Sequence, residues 1–264
     1  MRNLSAPAFV LDVVDLHERD RIVGFLTTEW GKKRGVARGA RSKYSRFAGQ
    51  LQPLAKVQVS WFEKEGRDLV RIGDVSLLRP STALHDDLEG ILLGSCLVEH
   101  MMEFAQENEA SEHLFRLLDT TLEALDGGVD RGLAARYYEI WVLRLAGVFP
   151  PPRECPLCGR DLAVGAALIE DDGALVCRPC AGPGRSPVSP RVVELLRRSA
   201  RENLAGLAER PPSAADLAAT EKVAGRVRRS FLQHELRSYR ILRETLAGLP
   251  PAAPPPSTPG GGSG

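Results

Sequence analysis

Asp20 to Arg41 reads DRIVGFLTTEWGKKRGVARGAR. It opens with a strand candidate, Asp20–Trp30, whose apolar content is Ile22, Val23, Phe25 and Leu26. A shorter one follows over Lys33–Ala40, broken by Gly35 and Gly39. Working outward, Ala8–Leu16 precedes the stretch as a strand, and Leu54–Phe62 follows it with Val57, Val59 and Trp61 in alternation. Period-two alternation marks a half-buried strand. Glu63–Asp68, with Gly66, supplies a turn, and Leu69–Leu78 returns. Five short strands around a glycine-rich middle fit a small closed barrel of the OB type, and other small β folds satisfy the same pattern.

Between Glu29 and Glu63 the chain carries Lys32, Lys33, Arg34, Arg38, Arg41, Lys43, Arg46 and Lys56 and not one acidic residue. Lys and Arg neutralise phosphates and release counterions. Trp30, Tyr44, Phe47, Trp61 and Phe62 are interleaved with them, and aromatic faces accept stacked bases. Gly31, Gly35, Gly39 and Gly49 bring no side chain into the way of a ligand. The window predicts a nucleic-acid surface. Its candidate DNA-binding residues are Lys32, Lys33, Arg34, Arg38, Arg41, Lys43, Tyr44 and Arg46. The plain alternative is a solvated face or a mobile loop.

A chain of 264 residues exceeds the size of one hydrophobic core, so two or more domains are expected. The net charge of +1 is a cancellation between segments. Residues 1–80 hold 15 basic and 9 acidic residues, 81–150 hold 4 and 13, 151–180 hold 3 and 5, and 181–264 hold 13 and 7. Such asymmetry marks separate surfaces for separate partners. No secretory signal is read at the start, and no run approaches the roughly 20 apolar residues of a membrane span. A soluble, cytoplasmic protein is expected, and there five cysteines point to metal before disulfide.

Pro80-Ser81 marks a boundary, and from Asp86 the period turns helical through Leu88, Ile91, Leu92, Cys96, Leu97, Met101 and Met102. Glu112–Leu125 and Arg131–Gly147 read as further helices. Ser189 reads as an N-cap with Pro190 at the first helical position, ahead of helices over Val192–Leu207, Ala214–Leu232 and Arg237–Leu246. The expected fold class is α+β. An N-terminal five-stranded OB-fold β-barrel (1–80) precedes an all-α domain in two parts (81–152 and 185–249). A four-cysteine module (153–184) is inserted between them, and a disordered tail (250–264) follows.

Cys155-Pro-Leu-Cys158-Gly and Cys177-Arg-Pro-Cys180 form two Cys-x-x-Cys pairs. Four soft ligands in a tetrahedral array suit one zinc ion, with mononuclear iron as the chemical alternative. Four cysteines close the coordination sphere, so the metal is expected to be structural. Arg160 and Arg178 are candidates for contacts from this module, and Cys96 reads as core. The phosphate loop, the dinucleotide turn and the His-Glu-x-x-His pair are absent, and the histidines are scattered. Asp86-Asp87 reads as a helix start and Asp171-Asp172 as a hairpin turn. No constellation supports an enzyme, and metal-dependent nicking of DNA is the observation that would revive one.

The runs Glu18–Gly31 (ERDRIVGFLTTEWG), Arg34–Arg41 (RGVARGAR), Ser45–Gly49 (SRFAG), Leu51-Gln-Pro53 and Leu236–Leu242 (LRSYRIL), in that order of parts, resemble the bacterial recombination mediator family RecO. The likeness covers roughly residues 5–245 and is most specific in GVARGAR. It implies an OB-fold that binds single- and double-stranded DNA, anneals complementary strands and assembles with the ring protein RecR. It also implies a helical domain that takes the acidic C-terminal tail of single-stranded-DNA-binding protein, so that RecA loads on coated gaps of the nucleoid. Arg136, in Ala134-Ala-Arg-Tyr-Tyr-Glu139, matches the family's arginine-plus-aromatic helix segment and is the candidate for the tail's carboxylates. The alternative for Arg136 is a structural ion pair with a nearby glutamate. For the whole chain, the alternative is a zinc-stabilised scaffold whose basic face meets an acidic protein.

Overall fold

β1 (Arg2–Leu16) is the seam of the molecule. Its residues Ala8 and Val10 turn into a barrel core with Val23, Phe25, Ala37, Val57, Val59, Trp61 and Ile72. Phe9 and Leu11 turn the other way and pack with Leu84, Leu93, Leu97, Met101 and Phe115. The continuous apolar run of residues 8–11 is therefore a strand buried on both faces. In the computed structural model, which describes residues 2–82, 84–149, 151–168 and 174–247, this seam joins a β-barrel to a helical domain.

The barrel contains β1, β2 (Asp20–Thr27), β3 (Lys32–Ala37), β4 (Lys56–Glu63) and β5 (Val70–Arg79). They close in the order β1-β2-β3-β5-β4, with β4 returning antiparallel to β1. β3 meets β5 in parallel through Gly35–Val70 and Val36–Arg71. A Cβ at Gly35 would lie 2.8 Å from Ile72 Cγ1, so the closure needs bare backbone there. This is the OB arrangement expected from the five strands. β1 begins at Arg2, ahead of the predicted Ala8, because residues 2–7 pair with Gln58–Glu63 of β4.

The helices are α1 (Leu88–Phe104), α2 (Glu112–Asp126) and α3 (Arg131–Leu145), then α5 (Pro190–Arg198), α6 (Leu204–Glu209), α7 (Ala214–Leu232) and α8 (Arg237–Ala247). The cysteine module lies between α3 and α5, with β6 (Ala166–Leu168), β7 (Leu175–Val176), the short α4 (Arg178–Ala181) and β8 (Pro187–Val188). Asp87 caps α1 by accepting from Gly90 N at 2.8 Å, and Ser189 caps α5 with Pro190 at its first position. The single helix expected over Val192–Leu207 is two. α5 ends at Arg198, and Asn203 starts α6 by accepting from Gly206 N at 2.9 Å. The tail over 250–264 and the Asp171-Asp172 turn lie outside the described residues.

Polar contacts lock barrel to helices. Lys32 N donates to Gln106 O at 3.1 Å, Asn108 N to Lys32 O at 3.2 Å and Ser111 N to Thr28 O at 2.9 Å. Gly31 has φ of 60°, and a Cβ there would lie 1.9 Å from Glu109 O, so only glycine fits. On the other side Lys56 and Arg79 pair with Asp119 at 2.6 and 2.7 Å. Among the described residues, no helix is long and apolar enough to cross a membrane.

Candidate nucleic-acid interface and metal centre

Strand alternation divides the basic window into two populations. On β3, positions 33, 35 and 37 turn inward and are buried, while Arg34 is exposed, as is Arg38 just past the strand's end. Lys33 is 5% exposed, and its ammonium sits 2.6 Å from both Glu63 Oε1 and Asn108 Oδ1. Lys32 is half-buried and its ammonium donates to Met102 O. These two candidates hold the barrel–helix junction. The period-two pattern of β3 was the signal for Lys33, but its partner Asn108 lies in a loop 75 residues away.

The β3–β4 connection carries the rest. Arg41 pairs with Asp15 at 3.3 Å and donates to His17 O at 2.8 Å. Lys43, Tyr44 and Arg46 are exposed, Tyr44 at 88%. Arg46 lies 4.9 Å over the ring of buried Phe47, which anchors the connection. Trp61 is buried in the barrel, and Trp30 and Phe62 are half-buried, Trp30 beneath Arg2 at 5.6 Å. Of the aromatics expected to be interleaved for stacking, Trp61 is turned into the barrel by alternation, Phe47 is buried beneath the connection, and Tyr44 alone is fully exposed. Two arginines the sequence reading passed over, Arg67 and Arg71, are exposed beside Arg38 and line a groove with it. They lie beyond Glu63, outside the acid-free window.

Arg136 is 6% exposed and donates to Glu139 Oε2 at 2.6 Å. Arg228, 1% exposed, donates to Glu139 Oε1 and lies 3.6 Å over the ring of Tyr239. Arg136, the candidate for the peptide's carboxylates, is thus buried and ion-paired with Glu139, the arrangement given as its alternative. Helical periodicity places Glu139 three residues on, on the same face. A basic groove of about 530 Å³ opens between α7 and α8, lined by Lys222, Arg226, Arg228, Arg229 and Arg243 with Glu221 and Glu235. An apolar cleft of about 830 Å³ lies between β1, α1 and α8, walled by Leu11, Leu54, Ile91, Val98, Met102 and Ile241.

His100 is wholly buried among Phe104, Tyr138 and Tyr239. Burial, with Arg228 adding to it, lowers its pKa to about 3. The unfolded chain takes a proton below about 6.5 that the folded chain refuses until about 3. This residue's contribution to stability is complete above about 6.5 and declines as pH falls through that window, by up to about 1.4 kcal/mol per pH unit. Urea titrations at pH 7, 6, 5 and 4 are expected to show that slope, and His100→Phe to flatten it by one proton's worth.

Cys155, Cys158, Cys177 and Cys180 converge, all four sulfurs lying within 4.8 Å of one another. Cys158 and Cys177 Sγ are 3.5 Å apart. A tetrahedral thiolate site with metal–sulfur bonds of about 2.3 Å needs edges of about 3.8 Å, so the donor set fits one metal ion. Gly159 takes φ of 70°, which lets its N–H donate back to Cys155 O at 2.8 Å. Burial opposes ionisation of Cys155, yet the backbone N–H groups of Cys177, Leu157 and Cys158 bring its thiol down to about 6. Hydrogen bonding with the Cys177 and Cys158 side chains, with burial adding to it, pushes the Cys180 thiol up to about 12. Four cysteine sulfurs held this closely are positioned to hold one metal ion. The module is no free-standing knuckle, since Cys155 and Cys177 share a core with Ile140, Leu143, Val193, Leu196 and Val227 of α3, α5 and α7. Cys96 is core, as expected, its thiol pushed up to about 11 by burial.

Comparison with known proteins covers nearly the whole chain. The family model described as Recombination protein O N terminal matches residues 1–81, and Recombination protein O C terminal matches residues 85–240. A DNA repair protein RecO from Anaeromyxobacter sp. (strain K) is 33% identical over 259 residues, which is 95% of this chain and 98% of that one. The DNA repair protein RecO of Geobacter metallireducens is 34% identical over 199 residues, 75% of this chain and 80% of that one. That of Myxococcus xanthus is 32% identical over 195 residues, covering 74% and 80%. An OB barrel with a basic outer face, a helical domain sealed to it by β1, and two family matches that together span residues 1–81 and 85–240 place the chain in the RecO family of DNA repair and recombination proteins.

Proposed function

We propose that the chain is a non-catalytic recombination mediator. It binds single- and double-stranded DNA, anneals complementary strands and, with RecR, helps load RecA onto DNA coated by single-stranded-DNA-binding protein. The observation that carries this reading is the outward basic surface of the barrel, where Arg34, Arg38, Lys43 and Arg46 are exposed and make no ion pair among the described residues. Membership of the RecO family supports the pathway. The four cysteines are read as the site of one structural zinc.

The acidic tail of single-stranded-DNA-binding protein is assigned to the groove of Lys222, Arg226, Arg229 and Arg243, in place of Arg136. RecR is assigned to the apolar cleft, whose rim exposes Ile91. On this reading the protein acts in the cytoplasm, at the nucleoid.

The test is annealing of two complementary oligonucleotides, bare and coated, followed by fluorescence. Acceleration in both conditions supports the mediator; acceleration on bare strands alone leaves a generic basic binder. Replacing Arg34, Arg38, Lys43 and Arg46 together with Ala is expected to reduce the log–log salt slope of single-strand binding by about 2.8, at about 0.7 per phosphate contact. The melting temperature should stay unchanged. Unchanged affinity would leave the scaffold reading standing. Lys32→Ala and Lys33→Ala, by contrast, are expected to lower stability through the junction.

A further inference from the structure

The outer face of the barrel differs from a base-stacking surface. β3 presents Arg34, Val36 and then Arg38 outward, and the parallel register sets Arg71 of β5 beside Val36. Alternate strand positions rise about 6.6 Å and neighbouring strands lie about 4.8 Å apart, of the order of the gap between successive phosphates. Arg38, Arg67 and Arg71 wall a groove of about 400 Å³ with Val36, Gly66 and Asp68. None of the three arginines makes an ion pair among the described residues, although Asp68 stands at the same groove. Along β1 and β2 the same outer face continues with exposed Val14 and half-buried Ile22, a pair in register. Tyr44 is the aromatic that stands fully out, and it belongs to the connection, off the strands. Phe62 of β4 is paired with Arg71 and so shares this face, but it is half-buried, and a Cβ at Gly73 would meet its ring at 3.0 Å.

We propose that this face holds nucleic acid by its phosphodiester backbone and leaves the bases free. The track runs from Arg34 on β3 and Arg38 just past its end to Arg71 on β5 and Arg67 in the β4–β5 turn. The proposal rests on the DNA-binding reading above and adds both the mode of recognition and two residues. Stacking platforms gain affinity by occupying base faces, which a strand about to pair needs open. A row of guanidiniums gains it by counterion release and leaves Watson–Crick edges exposed to a second strand. Annealing and tolerance of both single strands and duplex then follow from one geometry.

The experiment is fluorescence anisotropy with three probes of equal length: an oligo-dT strand, an abasic phosphodiester strand and a mixed-sequence duplex. The abasic strand is expected to bind within about threefold of oligo-dT. Arg67→Ala with Arg71→Ala should weaken all three probes at least tenfold and cut the single-strand salt slope by about 1.4. Tyr44→Ala and Phe62→Leu should each change affinity less than twofold. An abasic strand at least tenfold weaker than oligo-dT, or a dominant loss on Tyr44→Ala or Phe62→Leu, overturns the backbone mode. An unchanged Arg67→Ala/Arg71→Ala protein overturns the track. Failure of oligo-dT and duplex alike to bind sinks the DNA reading and the track together, whereas failure of the abasic strand alone leaves the DNA reading intact.

Discussion

Cys177→Ser is expected to release the bound metal and to unfold the part of the helical domain built on the cysteine module, while the barrel stays folded. Cys177 is 2% exposed and lies in one core with Ile140, Leu143, Val193, Leu196 and Val227. A structural four-cysteine site contributes about 10–16 kcal/mol of metal-binding free energy. That is as large as the whole stability of a domain, about 5–15 kcal/mol. β6, β7 and β8 are two or three residues long and offer little sheet to take over. The barrel core, around Trp61, Phe25 and Val59, is a separate cluster, so its strands should keep their amide protection. Hydrogen exchange is expected to show loss of protection from Cys155 through α5 and retention over β1–β5. Metal analysis should fall from one equivalent to none. Cys158→Ser, at the exposed corner, should lose metal with a smaller loss of protection. Metal loss with exchange unchanged would mean that the module holds itself by apolar packing alone.

The barrel was legible in the sequence because each strand obeys one local rule. Val57, Val59 and Trp61 alternate and are all buried, and residues 8–11 are continuously apolar and buried on both faces. What escaped was decided by chain segments far apart. Arg2 to Pro7 carry no alternating pattern and become strand only because β4 is there to pair with them. Alternation on β3 hints that Lys33 turns inward, but its partners Glu63 and Asn108 are 30 and 75 residues away. Arg71 belongs with Arg34 and Arg38 only through the parallel β3–β5 register, which no local signal announces. The cysteines were legible because metal geometry fixes their spacing in the chain itself. The break at Ser199–Asn203 was written locally, in an asparagine with cap character, and was hidden by the apolar positions on both sides of it.

Glu139→Gln is expected to cost about 3–5 kcal/mol, more than deletion of any single contact on the surface. Glu139 is fully buried between Arg136 and Arg228, and each guanidinium donates to a different carboxylate oxygen. Removing the carboxylate leaves Arg228 without its partner beside Arg136, whose remaining carboxylate is Glu221 at 3.9 Å, and burial already depresses the pKa of Arg228. Replacing the three residues together by apolar side chains (Arg136→Met, Glu139→Leu, Arg228→Met) should restore most of the loss, because no charge is then left unpaired. The consequence reaches beyond stability. Arg228 stacks on Tyr239, and Tyr239 with Leu236 and Cys96 holds α8 against α1. α8 in turn supplies Arg243 to the basic groove and Arg237, Ser238 and Ile241 to the apolar cleft. Glu139→Gln should therefore weaken binding of an acidic peptide through Arg228, which lines the groove and is held by Glu139, while the triple apolar variant regains the melting temperature but, lacking Arg228, not the full affinity. Arg243→Ala should weaken the peptide and leave the melting temperature in place. An Arg243→Ala protein that keeps full affinity for the peptide would take the peptide out of this groove.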